Sequence, residues 1–221
     1  MSLYRILVVA ITGLTLAPSV RALESEYNGI DDFMSGVPNM TVVNKQVVEG
    51  DLNQDTRYDK VVLINSESDG IAYDQIFVLL QTSNGGLRIT GKSMKVRSDE
   101  INLSLKINKG SFFVSVEAIK SIWGTYQFKI HNGDFRIIGL KLHVAEDSGE
   151  PDHDITGIVD TDFNLLTGKL LFKRVGDRRV GHADAVGHTC PLSDYNFDFF
   201  FCADSWKTKD GQAVDDLMSP N

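Results

Sequence analysis

From residue 40 onward the chain is a succession of short apolar or alternating runs, cut by tight-turn signals at intervals of about 8–12 residues. That rhythm leaves few folds open. Residues 41–48 carry Val42, Val43, Val47 and Val48, β-branched side chains that suit a pleated strand. Residues 60–65 (KVVLIN) and 75–81 (QIFVLLQ) are continuous apolar runs, the pattern of buried strands. Residues 101–107 (INLSLKI) and 125–130 (TYQFKI) alternate apolar and polar, the pattern of strands with one wet face. Between such runs stand Asn84-Gly85-Gly86, Asn108-Lys109-Gly110 and Asn132-Gly133; Asn-Gly is the strongest short hairpin signal. Further runs at 87–90, 111–116, 135–144, 155–163 and 169–173 bring the expectation to between eight and ten strands. Helical periodicity is confined to short pieces near 31–34 and 213–218. The sequence therefore predicts an all-β fold with minor helix: an antiparallel sheet, a sandwich or an incomplete barrel. A propeller needs typically 4–8 blades of four strands, more than this chain supplies.

The first 22 residues read as a secretory signal peptide. Arg5 gives a positive start, residues 6–16 (ILVVAITGLTL) form an uncharged apolar run, and Val20-Arg21-Ala22 offers a cleavage site. A membrane anchor needs about 20 apolar residues, and this run is shorter. Residues 23–39 read as a polar leader and residues 40–221 as a single β-rich domain. The expected location is periplasmic or secreted. Cleavage removes Arg5 and Arg21 and takes the net charge from −8 to −10. An acidic chain without a basic stripe argues against nucleic acid and against an anionic membrane surface. It leaves cations and a protein partner with a basic surface open.

An oxidising compartment favours disulfides. Cys190 and Cys202, the two cysteines of the chain, are expected to bond; the alternative is two buried thiols. Such a loop contributes about 2–3 kcal/mol by the chain-entropy argument.

The sharpest motif is Asp51-Leu52-Asn53-Gln54-Asp55-Thr56-Arg57-Tyr58-Asp59. Oxygen side chains fall at its first, third, fifth and ninth positions. Ca²⁺ takes 6–8 oxygen ligands. Asp51, Asn53, Asp55 and Asp59 are candidate ligands, and Arg57 is a candidate through its backbone carbonyl. An EF-hand places Glu at position twelve, where this chain has Val62. The alternative is an Asx-rich turn that needs no metal.

An apolar strand follows Asp59 directly, and Glu49-Gly50 precedes the loop. This layout resembles the calcium loop of FG-GAP and VCBS-type repeats, with the pattern D-x-[DN]-x-D-G-x-x-D leading into a strand. The chain has Thr56 where that family has Gly, and a left-handed Thr costs about 1–2 kcal/mol. A wider similarity covers residues 48–173. Uncharacterised bacterial exported proteins carry F-R-[LI]-I-G followed by N-x-L-T-G-K; here these are Phe135-Arg136-Ile137-Ile138-Gly139 and Asn164-Leu165-Leu166-Thr167-Gly168-Lys169. The resemblance implies an exported β-protein with a calcium loop. Some such proteins act as inhibitors or immunity proteins.

Other clusters carry blander readings. His182, Asp184, His188 and Cys190 match no standard zinc spacing and read as a polar loop. Residues 146–154 read as an acidic hairpin tip, and 160–164 as a strand leading into a turn. Tyr195, Phe197, Phe199, Phe200, Phe201 and Trp206 read as a strand packed on the core. Nucleophile elbows, S-x-x-K and H-E-x-x-H are absent from the sequence. The leading expectation is an exported, calcium-stabilised binding or interaction protein and not an enzyme. The alternatives are a periplasmic hydrolase with acidic catalytic residues, marked by a cleft joining His182 or His188 to Asp or Glu, and a purely structural domain.

Overall fold

The computed structural model describes residues 26–36, 41–98, 101–118, 122–147, 155–174, 180–186, 189–197, 202 and 206–218. The signal-peptide region, His188, residues 148–154 of the acidic tip and Phe199, Phe200 and Phe201 lie outside them.

Two antiparallel sheets make up the fold. The smaller contains β1 (Glu26–Tyr27), β2 (Thr41–Gly50), β3 (Asp59–Ser68), β4 (Ile71–Gln81), β5 (Leu87–Lys92) and β6 (Val96–Arg97). Its order is β1-β5-β4-β3-β2, with β6 also on β4. The apolar runs of β3 and β4 occupy the interior positions, as their composition demands. The larger sheet is a meander of β7 (Ile101–Asn108), β8 (Ser111–Ala118), β9 (Ile122–His131), β10 (Asp134–Asp147), β11 (Ile155–Asn164), β12 (Lys169–Arg174), β13 (Val180–Val186) and β14 (Lys207–Thr208). Its hairpins turn where the sequence places them. Lys109-Gly110 and Asn132-Gly133 both have positive φ at both residues, the conformation that matches strand twist.

One core lies between the sheets, with Val61, Ile76 and Val78 of the smaller facing Phe112, Val114, Phe128 and Ile137 of the larger. A second core covers the other face of the smaller sheet. There α1 (Ile30–Gly36) buries Phe33 edge-on against Tyr27 and Phe77. The stretch that reads as a polar leader thus supplies a strand and a helix to this sheet.

From β9 to β11 the inner face of the larger sheet is covered by the C-terminal segment. Tyr195 packs on Tyr126 and Phe128, and Trp206 stands edge-on to Phe163. Tyr195 and Phe197 are buried as the aromatic pattern requires, but they follow a short 3-10 turn (Leu192–Asp194) and not in a strand. Cys190 and Cys202 are bonded, with 6.5 Å between Cα atoms. This fastens the cover, which also meets both sheets: Ile137 N donates to Cys190 O, and Met94 N to Tyr195 O. Helix α2 (Val214–Met218) follows. Among the described residues no helix is long and apolar enough to cross a membrane.

The two sheets also meet at their edges, β2 against β7. The side-chain amide of Gln46 accepts from Leu105 N at 3.0 Å and donates to Leu105 O at 3.4 Å. The outer face of the larger sheet is polar. One row across it runs Asn102, Glu117, Trp123, His143, Asp160 and Lys173; the next runs Ser104, Ser115, Thr125, Lys141, Asp162, Leu171 and His182.

Candidate functional site

Gly50 pairs with Asp59 at the end of the β2–β3 hairpin, so residues 51–58 form its connection. A Cβ on Gly50 would fall 2.5 Å from Ile107 Cγ2, which restricts that position to Gly and sets the loop close against the β7–β8 turn. Leu52 anchors the loop by entering the core.

The loop closes around the Asp51 carboxylate. Asp51 Oδ1 accepts from Asp55 N at 3.1 Å and Oδ2 from Thr56 N at 2.9 Å. Asn53 Oδ1 accepts from Asp55 N at 3.2 Å, and its amide donates to Asp55 Oδ2 at 2.7 Å. Gln54 and Thr56 both take left-handed conformations, with φ of 64° and 69°. Thr56 therefore adopts the geometry that the family pattern assigns to Gly. A β-branched residue there is a genuine outlier, held only where its surroundings over-determine it.

Asp59 lies underneath, fully buried. Its Oδ2 accepts from Leu52 N at 2.8 Å and its Oδ1 from Gln81 N at 2.9 Å. One carboxylate thus ties the loop to the end of β4. Burial pushes the Asp59 carboxyl above its ordinary value; the two N–H donors oppose that push, and the charges of Asp55 and Asp51 add to it.

Arg57 was expected to contribute a carbonyl, but its guanidinium is the conspicuous part. It donates to Asp55 Oδ2 and, through Nε, to Gln81 O at 3.0 Å. Arg57 N also donates to Asp55 Oδ1 at 2.9 Å. At Asp55 burial acts upward as the largest single influence. The backbone N–H of Arg57, the Asn53 amide and the guanidinium together outweigh it and hold the carboxyl below its usual value. The structure thus brings Asp51, Asn53 and Asp55 together, gives Asp55 an internal cation, and turns Asp59 inward. Among the described residues no three of His, Cys, Asp and Glu are grouped as a metal shell. The oxygen chemistry of the set suits a hard cation, and such an ion has to share Asp55 with the guanidinium.

A second concavity, a cleft of about 800 Å³, opens beside β12 and β13. Here the expected polar loop is a strand. His182 faces Leu171 across the ladder and is exposed, and Asp184 faces Lys169. The cleft joins His182 to Asp162, Asp184 and Asp210, the combination the sequence reading assigns to the hydrolase alternative. Asp184 is clamped by Lys169 Nζ at 2.6 Å and Lys209 Nζ at 2.9 Å. Hydrogen bonds from Lys169 and Lys209, then their charges, hold its carboxyl at about 2. Asp162 pairs with Lys141 at 3.0 Å. A carboxyl held that low is a poor proton donor near neutrality. Cys190 is spent in the disulfide, which removes it from any zinc set.

Compared with protein-family models, characterised proteins and solved structures, the chain matches none.

Proposed function

We propose that this is an exported binding protein whose residues 51–59 form a calcium-type staple, with oxygens from Asp51, Asn53, Asp55 and Asp59 and the carbonyl of Arg57. The observation that carries the reading is Thr56 at φ 69°. Strained residues of this kind persist where their surroundings over-determine them, and they cluster at functional sites and ligand clamps. This one keeps the left-handed shape that the FG-GAP and VCBS-type pattern reserves for Gly. The signal-peptide pattern of residues 1–22, the disulfide and the acidic balance support export and a basic or cationic partner, and an inhibitor or immunity role fits that chemistry.

The competing hydrolase reading has His182 and three aspartates around one cleft in its favour. The lysine clamp on Asp184 weighs against acid–base work there and for binding.

The test is a thermal melt of residues 23–221 with excess Ca²⁺ and with chelator, for wild type and for an Asp51→Ala, Asp55→Ala variant. An ion at a hundredfold over its Kd adds about 2.7 kcal/mol. A Ca²⁺-dependent rise of several degrees in wild type alone supports the staple. Equal melts in both conditions, for a folded wild type, reduce the loop to a turn stapled by Arg57.

A further inference from the structure

Trp123 is a large aromatic that the core does not use: it is 48% exposed on the outer face of the larger sheet. It is also held still. Its ring lies parallel to that of His143, directly opposite on β10, with centroids 4.8 Å apart and planes within 8°. His143 is in turn fixed by Asp160, with Nδ1 at 2.6 Å from Oδ1. One face of the indole is therefore occupied, and its orientation is set by a stack backed by a hydrogen bond. The other face looks toward β8, where Glu117 stands directly opposite. Directly opposed residues have Cβ atoms about 4.5–5.5 Å apart, so the carboxylate borders the free ring face. Among the described residues Glu117 has no ion pair.

The rest of the face narrows what settles there. On the two rows that flank Trp123 the acids Glu117, Asp160 and Asp162 are interspersed with Lys141 and Lys173. Mixed signs on these rows, in a chain of net −8, give no single-sign surface to a polyanion or a polycation. Around Trp123 the neighbours are amides and hydroxyls: Asn102, Ser104, Ser115, Thr125 and Gln127. Leu171 is the other exposed apolar side chain on these rows, three strands away from Trp123. On these two rows the exposed apolar side chains are thus not contiguous, unlike the apolar centre of a homodimer interface. A rigid half-exposed indole, a flat field of neutral donors and acceptors, and one carboxylate beside the ring match an uncharged sugar. The C–H face of a pyranose meets the negative face of the indole, and its hydroxyls reach Glu117 and the amides.

We infer that the outer face of the eight-stranded sheet is a binding platform for an uncharged glycan, with a pyranose ring stacked on the free face of Trp123 and hydroxyls held by Glu117. The inference goes beyond the staple reading and does not depend on it: the two sites lie on different sheets, and calcium enters neither the stack nor the Glu117 contact.

The chain has two tryptophans, and Trp206 is buried, so indole emission quenched by added iodide reports Trp123. The probes are cellohexaose, chitohexaose and maltohexaose, read by emission and by calorimetry on residues 23–221, with heparin as the charged comparison. The expected result is saturable protection from iodide by at least one neutral hexasaccharide. Trp123→Ala should weaken that binding at least about tenfold, and Glu117→Gln should weaken it less, with melts matching wild type. Binding of heparin alone, or a neutral sugar held equally well by Trp123→Ala, overturns the proposal. So does silence from all three neutral probes. Sedimentation that shows a dimer dissolved by Trp123→Ala assigns the face to a second copy of the chain and likewise overturns it.

Discussion

The 51–59 loop and the β13–β14 corner each immobilise a carboxylate, by opposite means. Asp59 is sealed from water and held by two backbone N–H groups. Asp184 stays partly in water and is held by two lysine ammoniums. Burial drives the first carboxyl up, while the lysines drive the second down to about 2. What the difference teaches is that the donor, more than the acid, decides what the group is for. Backbone donors cannot leave, so Asp59 is part of the chain's path. Lysine side chains can swing away, so the Asp184 corner can trade its partners for a ligand.

The largest effect should come from Asp59→Ala. It strands the N–H groups of Leu52 and Gln81 in the interior, each costing about 1–3 kcal/mol. Asp184→Ala should fall within the small scatter of surface substitutions. Urea unfolding of both variants checks the pair; equal losses would end the distinction.

Thr56→Gly comes next. It relieves about 1–2 kcal/mol of left-handed strain and returns about 0.5–1 kcal/mol to unfolded-chain entropy, so a small net gain is expected in a thermal melt. A loss would mean that the Thr side chain itself supports the loop.

The smallest effect is in pH. Between 3.8 and the raised value of Asp59, the folded state holds more protons than the unfolded one. The stability Asp59 gives is complete below 3.8 and disappears as pH rises through its folded value. Asp74, also raised by burial against the Asn65 hydrogen bond, acts in the same direction. Asp184 behaves oppositely: its contribution is complete above 3.8 and is lost as pH falls toward about 2. Melts across this range should show the rising-pH loss shrink in Asp59→Asn, with Asp74 keeping a remainder. An unchanged profile would show that Asp59 titrates normally.

Strand patterning carried most of the fold. Alternation at 101–107 passes directly into β7 because one side of that strand is wet, and continuous apolarity at 60–65 and 75–81 into β3 and β4 because both sides are covered. β13 escaped that reading. Gly181-His182-Ala183-Asp184 has no apolar rhythm, and the strand exists because β12 pairs with it and Phe172 lies over Gly181, where a Cβ would come within 1.9 Å of the ring. The loop's oxygen positions were legible from spacing, and the strain at Thr56 from the resemblance to the FG-GAP and VCBS-type pattern. The second task of Arg57 was not, because it depends on Gln81, 24 residues away, arriving beside the loop. Trp123 offered no signal either. Its exposure follows from register, which decides the side of the sheet to which each residue of β9 points.

The amide of Gln46 on Leu105 has a consequence for growth. A sheet margin with idle N–H and C=O groups is a template on which further chains can extend it. At Leu105 both groups are already engaged by a side chain of the other sheet. An incoming strand must evict that amide before it can register on β7. The molecule thus carries a stopper against end-on polymerisation, built from one uncharged side chain at the place where its two sheets come closest to joining.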